Sequence, residues 1–394
     1  MKILFVVPLP PPHHGLSIIN QHLKEKISEE EWAPFRIHFV NSAISARLSE
    51  ISSFSPTKIG RLLMLAGNIL RARWKMGLCV LYYIPATGRS SQVIRDWFLL
   101  GLFRPFFSHL VLHWHGLGLR EFIEGKNPFV RKLTEFILGA ADLSIVLHKS
   151  YEVEATWLKP KNIAVVFNGI PDPCPDFNSL LSFRESRFQE RTQISSSAGL
   201  APPVYSLLFL GHCTREKGLF DTLDAVALAN NQLHQEGYPL RFQLKVAGNF
   251  FSEEEKSEFD QRLTQTDLKL PDSAGIASVQ YLGFVEGSEK DYLFRQSDCL
   301  CFPSYFPTEA QPVSVIEALA YGLNVVVSEW RALPDCLPPE TRRSIPIRNP
   351  ALLAQSLLEA SRTLDAGKNR KHFLEQHTVQ AMLQNLSSAF SSLD

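Results

Sequence analysis

Short apolar runs alternate with stretches of helical spacing along most of the chain. Runs such as Lys2–Val7 and Cys299–Phe302 are dominated by apolar residues, and each leads into a loop and then an amphipathic stretch. Strands of a parallel sheet that helices cover on both faces have this continuous apolar character. The pattern predicts an α/β fold, with further strands at Arg36–Asn41, Cys79–Ile84, Val111–Trp114, Asp142–His148, Asn162–Phe167, Ser206–Leu210, Phe242–Ala247, Val279–Phe284 and Asn324–Ser328.

The strand–helix units fall into two series, which indicates two domains. The length of 394 residues suits this number, since a domain has about 150 residues. The first series ends at an Asn-Gly turn that runs into prolines, NGIPDP, and a Pro/Ser-rich stretch follows. We expect an N-terminal domain at 1–171, a C-terminal domain at 172–365 that begins with a linker or insertion at 172–204, and C-terminal helices at 366–394 that pack back on the N-terminal domain.

One stretch of the first domain, 58–77, has two interpretations. Its apolar residues keep helical spacing, and Arg61, Asn68 and Lys75 lie on the other side. A basic amphipathic helix can lie on an anionic membrane surface, but the same pattern is typical of a core-facing helix with a solvated basic face. The apolar set is Ile59, Leu62, Leu63, Ala66, Ile69 and Leu70, and the nearby residues that keep the membrane interpretation open are Arg89, Arg95, Arg104, Trp97, Phe98, Phe103, Phe106 and Phe107.

Charge and composition narrow the class of protein. Net formal charge is zero, but 1–171 carry 20 basic and 12 acidic side chains, and 172–394 carry 20 and 28. This asymmetry indicates an anionic partner for the first domain or chance surface composition; a nucleic-acid partner is not expected. Six cysteines form no CxxC pair, which argues against zinc and fits reduced thiols. No apolar run reaches about 20 residues, so we expect a cytoplasmic protein, either free or peripheral on the inner face of a membrane.

Two loops of the first domain carry candidate binding residues. The first strand leads through PPPHHG into a helix without a G-x-G-x-x-G pattern, which argues against a simple NAD-dependent dehydrogenase. Gly15 is either a place where backbone approaches a ligand or a plain turn glycine. His113 and His115, in HWHG, share one face of a strand end. Without a clear third metal ligand, either one of them contacts a ligand or both are structural.

The second domain contains a candidate anion site. Gly211 closes a strand in GHCTREKGL, where Arg215 and Lys217 precede Gly218 and a helix, and Gly248 ends the next strand. Two cations beside a helix N-terminus can bind an anion; the alternative is a solvated basic loop.

A pair of glutamates marks the loop that follows Cys299–Phe302. Glu309 lies in the loop and Glu317 in the first turns of a helix that stops at Gly322, before another strand. Ligands of open α/β sheets sit beyond the carboxyl ends of the strands, so both carboxylates are expected to face that crevice.

These motifs together resemble glycosyltransferase family 4. The E-x7-E spacing of Glu309 and Glu317, followed by EALAYGLNVVVS, is similar to that family's signature, while GHCTREKG, HWHG, NGI and PPPHHG resemble its other motifs in the same order. The resemblance implies the GT-B fold, two facing Rossmann-like domains, and retaining transfer from a nucleotide-sugar donor, UDP- or GDP-linked, without a metal or cofactor. The chain departs from many members in having His14-Gly15 in place of Gly-Gly, and AQPVS in place of a Gly-rich loop.

The resemblance also implies roles for individual residues. Arg215 and Lys217 would bind the diphosphate, Glu317 the ribose, and Glu309 the donor sugar, with His115 contacting that sugar from the N-terminal domain. Further contacts implied near the donor are Gly15, close to phosphates or acceptor, the strand-end residues Gly211 and Gly248, and the N–H of Val313 or Ser314, since Pro312 has none to donate.

A glycan or lipid-linked acceptor and a role in surface polysaccharide biosynthesis follow from the family alone. Two alternatives remain at this point. A nucleotide-sugar epimerase on the same fold would need an acid/base pair, for which there is no clear candidate. A non-catalytic scaffold would not need the set formed by Arg215, Lys217, Glu309 and Glu317.

Overall fold

The computed structural model describes residues 1–30, 32–44, 56–193, 203–265, 268 and 278–393. The chain divides into two compact units, Met1–Pro171 with Gln376–Asp394, and Asp172–Glu375. Each unit contains one six-stranded parallel sheet with helices around it. The α/β expectation is therefore confirmed. The expected domain divisions lie after 171 and 365, whereas the second division falls after Glu375.

In the first unit, continuous apolar runs form the four inner strands, which are buried because helices cover both faces of the sheet, while the two edge strands are more exposed. The strands are β1 (Lys2–Val7), β2 (Arg36–Asn41), β3 (Val80–Tyr83), β4 (Leu110–Trp114), β5 (Leu143–Val146) and β6 (Asn162–Val165), in the spatial order β2-β1-β3-β4-β5-β6. The helices are α1 (Gly15–Glu30), α2 (Pro56–Met76), α3 (Ser90–Phe103), α4 (Leu119–Glu124), α5 (Pro128–Leu138) and α6 (Glu152–Thr156).

The second unit repeats this design. Its strands are β7 (Val204–Leu210), β8 (Arg241–Ala247), β9 (Val279–Gly283), β10 (Cys299–Phe302), β11 (Asn324–Ser328) and β12 (Ser344–Ile345), in the order β12-β11-β10-β7-β8-β9. The short edge strand β12 was not predicted. The helices are α7 (Phe177–Gln193), α8 (Leu219–Gln235), α9 (Glu253–Leu263), α10 (Gly287–Gln296), α11 (Val313–Ala320), α12 (Pro350–Ser361) and α13 (Ala366–Gln376).

Helix α7 lies in the stretch expected as a linker or insertion, 172–204, but is anchored in the second unit. Its buried Arg184 donates hydrogen bonds to the backbone oxygens of Phe294, Ser297 and Tyr321. A charged side chain with its donors satisfied in this way fixes the helix to its neighbours. The end of that stretch, 194–202, lies outside the described residues.

The last helix, α14 (Val379–Phe390), belongs to the first unit. The residues at the start of α14 are hydrogen-bonded to the Asn-Gly turn. Ile170 N donates to the His377 oxygen at 2.9 Å, and the Ile170 oxygen accepts from Val379 N at 3.1 Å. A Cβ on Gly169 would lie 2.4 Å from the Thr378 oxygen, so only glycine permits this approach. None of the described helices is both long and apolar enough to span a bilayer.

Candidate functional site

Two loops meet at the carboxyl end of the second sheet. Because β7 and β10 are neighbours, the turn after β7 and the loop after β10 leave the same edge side by side. Tyr305 N donates to the Glu216 oxygen at 2.7 Å and joins the two loops. The loop after β10 is further tied down by Trp330 Nε1, which donates to the Phe306 oxygen at 2.7 Å.

Lys217 and Glu309 form an ion pair across these loops. The distance from Lys217 Nζ to Glu309 Oε2 is 2.6 Å, and both side chains are largely buried. Ser304 Oγ donates to the same carboxylate oxygen at 2.5 Å, and the Phe306 ring lies 4.8 Å from the ammonium. The structure thus brings together two residues that the sequence analysis placed on the diphosphate and on the sugar.

Two glycines near the pair are required by close backbone approach. Gly218, at φ +78°, ends the Arg215–Lys217 turn, and a Cβ there would lie 2.4 Å from the Pro303 oxygen. Gly248, at φ +147°, follows β8, and a Cβ there would lie 1.7 Å from the oxygen of Gly211. Gly211 itself has room for a Cβ, with the Phe302 ring at an ordinary 3.7 Å. Gly248 therefore sets how closely the ends of β7 and β8 approach.

Arg215 is engaged by acidic residues of α9. Its guanidinium is paired with Glu258 and its backbone N donates to Glu255 Oε1 at 2.7 Å. The Arg215–Glu258 pair is about half exposed on both sides. The alternative of a solvated basic loop therefore describes Arg215 in part, while Lys217 is enclosed.

Glu317 pairs with a residue that the sequence analysis missed. Lys290 Nζ lies 2.6 Å from Glu317 Oε1. Burial raises the pKa of Glu317 above its ordinary value, and Lys290 opposes that shift. Lys290 lies in the first turns of α10, after the end of β9, so the rule that ligands gather at the carboxyl ends of strands could have drawn attention to it.

The start of α11 offers backbone donors beside these pairs. Pro312 precedes the helix, and no side chain of the described residues caps it. Val315 N and Ile316 N both donate to the Pro312 oxygen, at 3.1 and 3.2 Å. The N–H groups of Val313 and Ser314 therefore begin the helix, where the positive end of its dipole lies.

The cluster contains three ion pairs. Each of its cations faces a carboxylate, namely Arg215, Lys217 and Lys290 with Glu258, Glu309 and Glu317, and Glu255 adds a further carboxylate at the backbone N of Arg215. An incoming anion therefore has to exchange with a carboxylate, most easily at the exposed Arg215–Glu258 pair. His212 adds an imidazole that packs against Phe251 in a tilted arrangement, with ring centroids 4.7 Å apart. Burial and then Lys217 lower its pKa.

The corresponding edge of the first unit holds two neutral histidines. His115 follows β4, and its ring lies 3.9 Å from that of His113, as the shared face requires. His113 Nδ1 is hydrogen-bonded to the buried Tyr82 hydroxyl. Both ring nitrogens of His115 are buried, and burial lowers its pKa to about 3, against a smaller opposing effect of Asn168. His113 therefore has a structural partner, while His115 is the one nearer the loop.

Gly15 is the exposed first residue of α1. Ser17 Oγ donates toward the Pro12 and His14 oxygens and accepts from His14 N at 3.0 Å. The helix start is thus ordered by Ser17, and Gly15 leaves backbone accessible there. Among the described residues, no group of three or more His, Cys, Asp and Glu side chains is arranged to hold a metal ion.

Comparison with known proteins gives a family match over part of the chain and a shared fold. Residues 190–363 match the family model described as glycosyl transferases, group 1. No curated protein matches the chain by sequence. Three solved structures are similar over 100% of this chain. Anabaena Alr3699/HepE in complex with UDP and glucose is 14% identical, with a TM-score of 0.62 over 100% of that chain. Sucrose-phosphate synthase from Thermosynechococcus elongatus is 15% identical (TM-score 0.66, 98% of that chain), and an alpha,alpha-trehalose-phosphate synthase (UDP-forming) from Burkholderia vietnamiensis is 10% identical (TM-score 0.62, 98% of that chain).

The two units have the GT-B fold, which confirms the predicted fold class. The family match is limited to 190–363, and the likeness to the solved structures is one of fold. The matched segment contains all of the charged cluster at the second sheet.

Proposed function

We propose that the protein is a retaining glycosyltransferase of the family 4 type, which transfers a hexosyl group from a nucleoside-diphosphate sugar to a glycan or lipid-linked acceptor, in surface polysaccharide biosynthesis. The observation that carries this proposal is the enclosed Lys217–Glu309 pair, 2.6 Å apart, in a segment that matches group 1 glycosyl transferases. The UDP ligand of the Anabaena structure makes UDP the first nucleotide to test, with GDP second.

In the proposed reaction the bond between sugar C1 and the leaving phosphate oxygen breaks as the acceptor oxygen bonds C1 on the same face. The acceptor's proton passes to the leaving phosphate. Lys217, Arg215 and the N–H groups of Val313 and Ser314 offset the growing charge on the diphosphate, which is electrostatic stabilisation by groups already in place. No general acid or metal ion is then required at the leaving oxygen.

The carboxylates orient neutral parts of the donor in this scheme. Glu309, held by Lys217 and Ser304, would accept hydrogen bonds from hydroxyl groups of the sugar. Glu317 has its Oε1 on Lys290 and would bind the ribose hydroxyls through Oε2. His115, neutral because burial lowers its pKa, would contact the sugar as a hydrogen-bonding group and not as a cation.

A thermal-shift screen of UDP-, GDP- and ADP-sugars tests donor binding, followed by measurement of nucleoside diphosphate release with and without acceptor and with a chelator. We expect one nucleotide class to raise the melting temperature, and acceptor-dependent release that survives chelation. Lys217→Met should abolish the shift, whereas Lys256→Met, which breaks an exposed pair with Asp260, should keep it.

Three results would contradict the proposal. Epimerised donor without acceptor would favour the epimerase, and absence of any nucleotide effect would favour a scaffold. Inversion at C1 of the product would disprove the retaining mode.

A further inference from the structure

Helices α2, α3 and α5 of the first unit leave an unusual amount of apolar surface uncovered. Among the described residues, 22 large apolar side chains are exposed, and 12 of them lie between Ile59 and Phe136. Trp74 and Phe136 are 84% and 82% exposed. Since apolar patches of this kind on soluble proteins mark interaction sites, this surface needs a partner.

Helix α2 is apolar on two opposite sides. Leu65, Ile69 and Ala72 are buried, whereas Leu63 and Trp74 are exposed together with Ile59, Met64 and Leu70. Of the two interpretations of this stretch, the core-facing one therefore does not hold for Ile59, Leu63 and Leu70. An amphipathic surface helix ordinarily turns its apolar residues to one side, toward the core, whereas α2 carries a second apolar set that the first unit leaves exposed.

The same division recurs on α3. Val93, Leu99 and Phe103 are buried, while Ile94, Phe98 and Leu102, one helical turn apart, form an exposed row.

Side-chain bonds join the three helices into one layer. Arg73 donates to the Phe106 oxygen, and Trp97 Nε1 donates to Thr134 Oγ1 at 3.1 Å. Arg104 donates to the Ile137 and Gly139 oxygens at 3.0 and 2.7 Å. We call the exposed side of this layer the apolar face; its large side chains are Ile59, Leu63, Met64, Leu70, Trp74, Ile94, Phe98, Leu102, Phe106, Phe129 and Phe136. A groove of about 920 Å³ lies beside Phe136, between α3 and α5.

The charges around the apolar face are mostly basic. Residues 56–138 contain twelve Lys and Arg and four acidic residues. Of these four, Asp96 is buried and bonded to Tyr83 and Arg95, while Glu124 and Glu135 pair with Arg120 and Arg131. Among the described residues, Arg71, Lys75 and Lys132 form no ion pair with a carboxylate and are exposed. Protein interfaces are depleted in lysine, whereas basic residues beside exposed Trp, Phe and Leu are typical of proteins that lie on anionic bilayers.

We propose that the apolar face docks on the surface of a bilayer that contains anionic lipids, with Trp74 and Phe136 in the headgroup region and the basic residues on the lipid phosphates. The layer is also close to the loop that follows β4 and begins with His115, because Gly88, just before α3, packs against the Gly118 oxygen in that loop. Docking would hold that loop near a lipid-linked molecule, but the docking itself does not rest on the proposed activity.

Vesicle co-sedimentation of the full chain tests the proposal, with phosphatidylcholine alone and with added phosphatidylglycerol. We expect binding to the anionic vesicles that weakens as ionic strength rises from about 0.1 M to about 1 M, where the Debye length falls from about 10 Å to about 3 Å. The Arg71→Gln/Lys75→Gln variant should bind about thirtyfold more weakly, at roughly 1 kcal/mol for each basic residue.

A second pair of variants separates the apolar face from general hydrophobicity. Leu63→Ser/Trp74→Ser/Phe136→Ser should lose at least about tenfold in vesicle binding, since that binding scales with buried apolar area. The matched control, Leu228→Ser/Tyr238→Ser/Leu374→Ser, changes exposed apolar residues of the second unit and should bind as wild type does. Equal melting temperatures of the two triple variants exclude misfolding.

Failure of the wild type to bind anionic vesicles at low salt would overturn the proposal, as would undiminished binding of the first triple variant. A wild-type dimer that this variant converts to monomer, without vesicle binding, would assign the face to a second copy of the chain instead.

Discussion

At the carboxyl edge of its sheet the second unit sets each charged side chain against an opposite one, whereas the first unit places two neutral histidines there. Lys217 and Lys290 each lie 2.6 Å from a buried glutamate. His115, by contrast, is held uncharged by burial, with its pKa near 3. One architecture thus carries a site of paired ions and a site of neutral hydrogen-bonding groups.

The outer surfaces differ in another respect. On α2, Arg71 and Lys75 have no carboxylate partner among the described residues, although Arg120 and Arg131 of the same unit pair with Glu124 and Glu135. In the second unit, Lys256 and Arg262 pair with Asp260 and Asp224. Unpaired positive charge attracts an anionic surface over a distance, while paired charge holds a defined geometry. The difference indicates that the units meet different kinds of partner, and the predictions below test each side of it.

The largest effect is expected from Gly248→Ala. The added Cβ would lie 1.7 Å from the Gly211 oxygen at a positive φ, so the ends of β7 and β8 have to separate, at a cost above about 3 kcal/mol. Gly237→Ala is the matched control, because Gly237 also has a positive φ but open space around it, and it should cost only about 1 kcal/mol. Chemical denaturation measures both. Equal losses would show that the close approach of the strand ends contributes nothing.

Lys290→Met should destabilise the second unit by about 3 kcal/mol, because it leaves the buried Glu317 carboxylate without its cation. The added change Glu317→Gln should restore most of that loss by removing the charge. Denaturation of the two single variants and the double variant gives the coupling. If the losses of the single variants simply add, the pair is not a unit and the contrast with the neutral site of the first unit disappears.

Acid should destabilise the first unit through its histidines. The pKa of His115 is about 3 in the folded chain and about 6.5 when unfolded. Its contribution is therefore fully present above pH 6.5 and falls by about 1.4 kcal/mol per pH unit as the pH drops toward 3. The pKa of His113 is also lowered and acts in the same direction, while the raised pKa of Glu317 acts against it.

Wild type should thus lose about 2 kcal/mol more than His115→Asn between pH 7 and pH 5, as measured by denaturation at each pH. His13→Asn, at an exposed position, is the control. Parallel curves for wild type and His115→Asn would mean that the imidazole charges freely in the folded chain.

The smallest effect concerns the exposed pair. Glu258 competes with any anion for Arg215, so Glu258→Gln should tighten nucleotide binding about two- to fivefold, which corresponds to the roughly 0.5–1 kcal/mol of an exposed pair. Arg215→Ala should weaken binding while changing stability by less than about 0.5 kcal/mol. Calorimetric titration with UDP measures the affinity of both variants and of the wild type. Weaker binding by Glu258→Gln would mean that this carboxylate orders Arg215 for the nucleotide.

The sequence was sufficient to predict every described strand except the two-residue β12, and the loops that follow them, because apolar runs and glycines mark both directly. The Lys217–Glu309 pair joins two loops whose proximity depends on β7 and β10 being neighbours. The family resemblance, and not the apolar pattern, indicated that these two loops serve one site. Lys290 was missed since α10 crosses from the edge strand β9 to β10, and only the strand order shows where it passes. The exposed rows on α2 and α3 were ambiguous because spacing cannot tell which of two apolar sides faces the core.

The Asn-Gly turn at 168–170 has a consequence for synthesis. It binds the entry to α14, whose Phe390 packs against Phe5 and Tyr82, yet α14 is translated after the whole second unit. During translation, this apolar side of the first unit's sheet therefore stays uncovered until α14 has been made. Nascent chains ordinarily fold N-terminal domain first. Here the second unit has been fully translated before the first unit has all of its residues.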